Sequence, residues 1–206
     1  LAALGQMASA VAHSLRNPLA GIRSSMELLK LQHGETVEPA ANEVLGEVDR
    51  MNQHVHELLN YAHADRAAFQ RVELASFLRD VLEKSRARIE RQGIELKFET
   101  EGEDLAVMMD GPMFRQAIAS VLSNALEAMP DGGTLNVQIR RSGGGESVEV
   151  RITDTGKGIP AETLNKLPSP FLTTKTRGLG LGLALADRIV RSFDGSLLLD
   201  SADECG

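Results

Sequence analysis

Apolar residues open the chain at Leu1, Leu4, Ala8, Val11 and Leu15, in alternating steps of three and four. This is the a/d stripe of a helix that lies along another helix. The pattern predicts one helix over 1–32, ended by His33-Gly34-Glu35-Thr36. Pro39 suits the first turn of a second helix, about 38–66, in which Val44, Val48, Met51, Val55, Leu58 and Ala62 continue the alternation. Two such helices joined by a short break form an antiparallel hairpin. One hairpin buries little apolar surface alone, so two copies are expected to close a four-helix bundle, a homodimer.

After Phe69 the periods change. Residues 74–91 read as a helix with Leu74, Phe77, Leu78, Val81 and Leu82 on one face. Alternation over 94–98 predicts a half-buried strand, and 105–109 a second. A helix over 113–129 has Pro112 just inside its start and Pro130-Asp131-Gly132-Gly133 as its stop. The alternating runs 135–139 and 148–152 flank a Gly-rich turn at 143–145 and predict a hairpin. A helix over 183–193 and a last strand over 196–200 complete the order. Helices among mostly antiparallel strands give an α+β two-layer sandwich, one sheet with helices on one face. The boundary falls at about residues 67–72, which divides the chain into a helical hairpin, 1–67, and a sandwich domain, 68–206.

Composition narrows the function classes. The net charge is −7, there is no Trp and one Tyr, and no basic block has interleaved aromatics, so nucleic acid is not an expected partner. The single Cys205 forbids an internal disulfide and fits a reducing compartment. No apolar run reaches the length of a bilayer span and no signal peptide is visible. Opening on Leu1 within a helical pattern, the chain reads as a cytoplasmic fragment, with any membrane anchor upstream.

Several positions carry chemistry. With Leu1 and Ala8 at a, and Leu4 and Val11 at d, His13 falls at f and is expected to face water. Pro18, five residues on, lacks the amide proton that would reach the Ser14 carbonyl and crowds that turn, predicting a kink. Alone, His13 is also one surface histidine among five. In Asp154-Thr155-Gly156-Lys157-Gly158, directly after a strand, the glycines allow close backbone approach and positive φ. Asp154 there can accept from an exocyclic amine such as that of adenine, or cap its own loop. Gly178-Leu179-Gly180-Leu181-Gly182 opens a helix and can turn backbone amides toward phosphate. It is neither a dinucleotide fingerprint nor a Walker loop. The segment between, Pro168 to Arg177, suits a lid; Lys175 and Arg177 are phosphate neutralisers or solvated charges. Ser120 and Asn124 lie one turn apart on a helix, and Asn124 is an oxygen donor suited to Mg²⁺ on a triphosphate or an ordinary polar residue.

Taken together and in this order, these motifs resemble the catalytic core of a two-component sensor histidine kinase, of the nitrogen-regulator type with His-x-x-x-Asn-Pro-Leu. The resemblance covers the phosphoacceptor box at His13, the asparagine box ending at Asn124, the Asp154-x-Gly156-x-Gly158 box, and the phenylalanine and second glycine boxes from Phe171 to Gly182. It implies a dimeric phosphotransfer hairpin followed by a Bergerat-type ATP-binding domain, with ATP and Mg²⁺ as cofactors. Asp154 would hold the adenine amino group, and Asn124, with Ser120, the metal. Gly178, Gly180 and Gly182 would line the phosphates, and Gly156, Gly158, Phe171, Thr174, Lys175, Leu179 and Leu181 would also bind the nucleotide. The γ-phosphoryl would pass in line to His13, then to an aspartate of a response-regulator receiver domain. An imidazole of ordinary pKa, about 6.5, is mostly neutral at pH 7 and able to attack. The family usually has Glu or Asp directly after this histidine; Ser14 stands here and cannot act as a carboxylate base, which predicts a slower autokinase. It usually also has Asn where Ser120 stands, which predicts weaker Mg²⁺ binding. Asn17, one turn after His13, matches the position from which relatives orient a water to dephosphorylate the regulator. The alternative reading is a weakly active, ATP-binding dimeric scaffold that docks a response regulator.

Overall fold

The computed structural model describes residues 2–63, 68–102, 105–142, 147–173 and 179–201, with the side chains of 2–10, 13, 56–57 and 60–63 outside that description. Helix α1, Ala2–His33, continues through Pro18. A 3-10 turn, Gly34–Thr36, leads into α2, Glu38–His63. Gly34 sits at φ 54, a left-handed position that glycine takes at no steric cost and that reverses the chain here. α1 and α2 pack along each other, tied by Arg23–Asp49 and by Lys30 Nζ, 2.7 Å from Asn42 Oδ1 and 3.2 Å from Glu38.

The single hairpin covers only part of the expected seams. Ala12 and Leu19 are buried, whereas the a/d residues Val11 and Leu15 are 46% and 37% exposed. On α2, Val48 and Val55 are buried but Val44 and Met51, seven apart, are exposed. Each helix therefore has an apolar stripe wider than one partner can cover. Its inner edge closes the hairpin and its outer edge, with Ile22 and Leu29, faces outward.

The second part runs β1 (Gln70–Glu73), α3 (Leu74–Arg91), β2 (Ile94–Glu101), β3 (Ala106–Met109), α4 (Gly111–Ala128), β4 (Gly133–Ser142), β5 (Ser147–Asp154), α5 (Ala161–Leu164) and α6 (Gly182–Arg191). Glu73 starts α3 by accepting from the amides of Ala75 and Ser76 at 3.0 and 2.7 Å, and the Ser76 interactions hold its carboxyl below the ordinary range. Asp110 caps α4 through Met113 N, 2.9 Å.

The described strands form two sheets rather than one. β1 and β3 pair antiparallel; the other sheet has the order β2-β4-β5, with β2 and β4 parallel. The parallel pair is possible because the connection between its strands runs through α4, a crossover long enough to return the chain in the same direction. The alternating Leu135, Val137 and Ile139 of β4 are buried against α3 and α4. A smaller cluster, Ala117, Leu185, Ala186 and Ile189, joins α4 to α6. The expected last strand is not formed: residues 195–200 have no ladder, and Leu198 is 88% exposed. The predicted turn at 143–145 and Cys205 lie outside the described residues. No described helix is long and apolar enough to cross a membrane.

Candidate nucleotide site

α4 forms the wall of the site. Ser120, Asn124 and Ala128 recur every four residues and so line one helix face in steps of about 6 Å. The lower end of this stripe meets α6: a Cβ placed on Gly182 would lie 3.6 Å from Ser120 Cβ and 3.8 Å from its Oγ. The upper end meets the loop after β5: a Cβ on Gly156 would lie 2.6 Å from both Ala128 Cβ and Ala128 O. Asn124, half-buried, stands one turn from each contact.

The loop after β5 is built to fit that wall. The Asp154 carboxylate, exposed at the strand end, accepts from Gly156 N at 2.9 Å through Oδ1, so the loop-cap role is realised. Lys157 N donates to Ala128 O at 3.1 Å. Gly156 is needed for close approach and not for positive φ, which it does not adopt. Beyond Gly158, Ile159 N donates to Ser201 Oγ at 2.8 Å.

The second glycine motif opens α6. Leu181 is buried at its N-cap and makes no side-chain cap, so the first amides of α6 have no side-chain acceptor there. Gly180, at φ 66, lies against the Leu172 backbone, where a Cβ would come within 2.5 Å of Leu172 O. Gly180 thus uses its missing side chain on Leu172, whereas a Cβ at Gly182 would make only an ordinary contact with Ser120. Phe171 is 64% exposed at φ 64, and Leu179 is half-buried. Thr174, Lys175, Arg177 and Gly178 lie outside the described residues.

On α1 the side chain of His13, and hence its expected exposure, is outside the description. Ser14 Oγ donates to Val11 O at 2.8 Å and is exposed, as is Asn17. α1 packs along α2, and the structure does not bring its motif together with the α4 wall. Sequence reasoning missed Ala128, Met129, Thr155 and Ser201. Of these only the small Ala128, at the helix end, carried any signal, since a glycine loop can press only on a small residue.

Two family models match the chain. Residues 3–67 match the His Kinase A (phospho-acceptor) domain, and residues 109–206 match the histidine kinase-, DNA gyrase B- and HSP90-like ATPase family. Sporulation kinase A of Bacillus subtilis (strain 168) is 32% identical over 207 residues, covering 100% of this chain and 34% of the relative, so the chain spans about a third of that protein. The catalytic domain of histidine kinase ThkA, nucleotide-free, is 32% identical with a TM-score of 0.56, over 61% of this chain and 82% of that one. ThkA in complex with the response regulator protein TrrA is 29% identical with a TM-score of 0.66, over 93% of this chain and 56% of that one. With both a phospho-acceptor hairpin and an ATPase-type unit whose motifs converge on one helix, the chain belongs to the sensor histidine kinases.

Proposed function

We propose that residues 1–67 are a dimerising phosphotransfer hairpin, and that residues 68–206 bind ATP and transfer its γ-phosphoryl group to His13. The observation that carries this reading is the position of Asn124, one turn from the Gly156 contact at Ala128 and one turn from the Gly182 contact at Ser120. Asp154 accepts from the adenine amino group. Gly156 and Gly158 shape that loop. Gly180, Leu181 and Gly182 present α6 amides to the phosphates, with Phe171, Leu179, Thr174, Lys175 and Gly178 around them. The imidazole nitrogen of His13 attacks the γ-phosphorus, the bond to the bridging oxygen breaks, and ADP leaves. The phosphoryl group then passes to an aspartate carboxylate of a receiver domain, as the pairing of ThkA with a response regulator supports.

The described residues include no group of three or more His, Cys, Asp or Glu that could hold a metal ion. The donors on offer are the neutral amide and hydroxyl oxygens of Asn124 and Ser120, which suit Mg²⁺ whose charge the triphosphate balances. Bound there, Mg²⁺ supplies charge neutralisation to the triphosphate. Val11, Leu15, Ile22, Leu29, Val44 and Met51 are the surface a second copy covers. The unit works in a reducing compartment.

Asn17, exposed one turn beyond His13, holds a water for dephosphorylating the receiver domain. The test uses a labelled receiver domain. The wild-type kinase transfers label to it and later removes it, whereas Asn17→Ala transfers but does not remove. Removal undiminished in Asn17→Ala refutes the phosphatase role; absence of transfer refutes the kinase role. Ser14, whose hydroxyl is held by Val11 O, favours the second reading of a weakly active docking scaffold, which the same transfer assay separates.

A further inference from the structure

Asp154 is the residue on which base recognition rests, yet it stands exposed at a strand end, and its aim depends on what holds the loop behind it. We propose that Thr155 is a positioning residue for nucleotide recognition: its hydroxyl pins the loop so that the Asp154 carboxylate meets a 6-amino purine. This rests on the ATP-site reading above.

Thr155 Oγ1 accepts from Thr134 N at 2.9 Å and donates to Met129 Sδ at 3.8 Å. Its own amide donates to Thr134 O at 3.2 Å. Met129, directly after α4, is 1% exposed. A Cβ on Gly133 would fall 2.7 Å from both Met129 Sδ and Thr155 Oγ1, so these groups are in closest contact with no side chain able to intervene. One hydroxyl thereby joins three elements, the end of α4, the start of β4 and the end of β5. Asp154 lies on the other side of the same joint, paired in register with Leu135, next to Thr134. Of the other ties of this loop, Gly156 N to Asp154, Lys157 N to Ala128 O and Ile159 N to Ser201 Oγ follow Thr155, which leaves the single backbone bond from Thr155 N to Thr134 O at the strand end once the hydroxyl is gone. Removing the hydroxyl leaves Thr134 N without this acceptor and lets the Asp154 turn shift relative to the α4 wall.

The test measures dissociation constants of ATP and inosine triphosphate for the full chain, as wild type, Thr155→Val and Thr155→Ser. Inosine carries a carbonyl where adenine carries the amine. Wild type is expected to prefer ATP. Thr155→Val is expected to lose about tenfold in ATP affinity, as when one hydrogen-bond partner is deleted, with inosine triphosphate changed less than twofold. Thr155→Ser keeps the hydroxyl and is expected to behave as wild type. An unfolding scan checks that each variant folds, with a small loss expected in Thr155→Val from the deleted bonds; Thr155→Ala repeats the deletion should valine disturb the fold. Equal losses for both nucleotides, full ATP preference in Thr155→Val, or lost preference in Thr155→Ser overturns the proposal. A wild type without preference for ATP overturns the Asp154 reading itself, and this proposal with it.

Discussion

The contact of Gly156 with α4 gives a prediction whose size follows from the structure. In Gly156→Ala the new methyl would lie 2.6 Å from Ala128 Cβ and 2.6 Å from Ala128 O, where relaxed carbon contacts need about 3.5–4.0 Å. The loop must therefore retreat from α4 by about 1 Å, because the obstacle includes backbone. Retreat breaks the Lys157 N to Ala128 O bond, worth about 1 kcal/mol, and the overpacking itself costs about 1–3 kcal/mol. Summed, ATP binding that needs the original geometry is weakened by about 2–4 kcal/mol, at least about thirtyfold in Kd. Calorimetric titration with ATP reads this directly, beside a thermal unfolding scan. Gly46→Ala on α2, where a Cβ meets nothing within 4 Å, is the control and should leave ATP affinity unchanged. Gly156→Ala binding ATP within twofold of wild type would refute the role assigned to this contact.

Three further outcomes follow. Ser14→Glu supplies the missing carboxylate beside His13 and should raise the autophosphorylation rate, on the order of a hundredfold for a restored general base; an equal or lower rate in timed labelling counts against it. Val44→Glu with Met51→Glu charges the outer stripe of α2 and should convert a dimer to a monomer in light scattering at micromolar concentration, and a persistent dimer places the interface elsewhere. Glu73→Gln should destabilise the fold by about 1 kcal/mol at pH 7 in urea melts. Because the folded-state carboxyl titrates below its unfolded value of 4.5, that contribution is present above the unfolded value and is lost as pH falls through the lower folded one. The gap between the two proteins should then close as pH falls below the ordinary carboxylate range; a gap that stays constant would contradict the cap.

What was legible in the sequence was what local periodicity controls. The helix α3 spans Leu74–Arg91 around an apolar face that runs from Leu74 to Ile89, and β4 and β5 appear where alternation runs. The motifs were legible as spacing too, since Ser120 and Asn124 share a face by helix geometry alone. What escaped was set by partners distant in sequence. Which edge of a wide apolar stripe meets the other helix of the hairpin cannot be read from one helix: Ala12 and Leu19 are buried there, while Val11 and Leu15 face outward. The parallel pairing of β2 with β4 depends on a crossover, and the reason for Gly156 depends on Ala128, 28 positions away. The buried Asp110 is similar: Pro112 announced a helix start, but nothing announced that Asp110 Oδ2 also accepts from Ala68 N at 2.7 Å. Nor did spacing show that Phe69 meets Phe193 edge-on at 5.6 Å, fastening the segment after the hairpin to the end of α6.

The central claim is that this chain moves phosphate from ATP to His13. Incubation of wild type and His13→Ala with γ-labelled ATP and Mg²⁺ tests it, with nucleotide affinity measured for both. The account predicts acid-labile label on the wild type, none on His13→Ala, and equal ATP affinity; label that persists in His13→Ala, or a wild type that binds ATP and stays unlabelled, would contradict it.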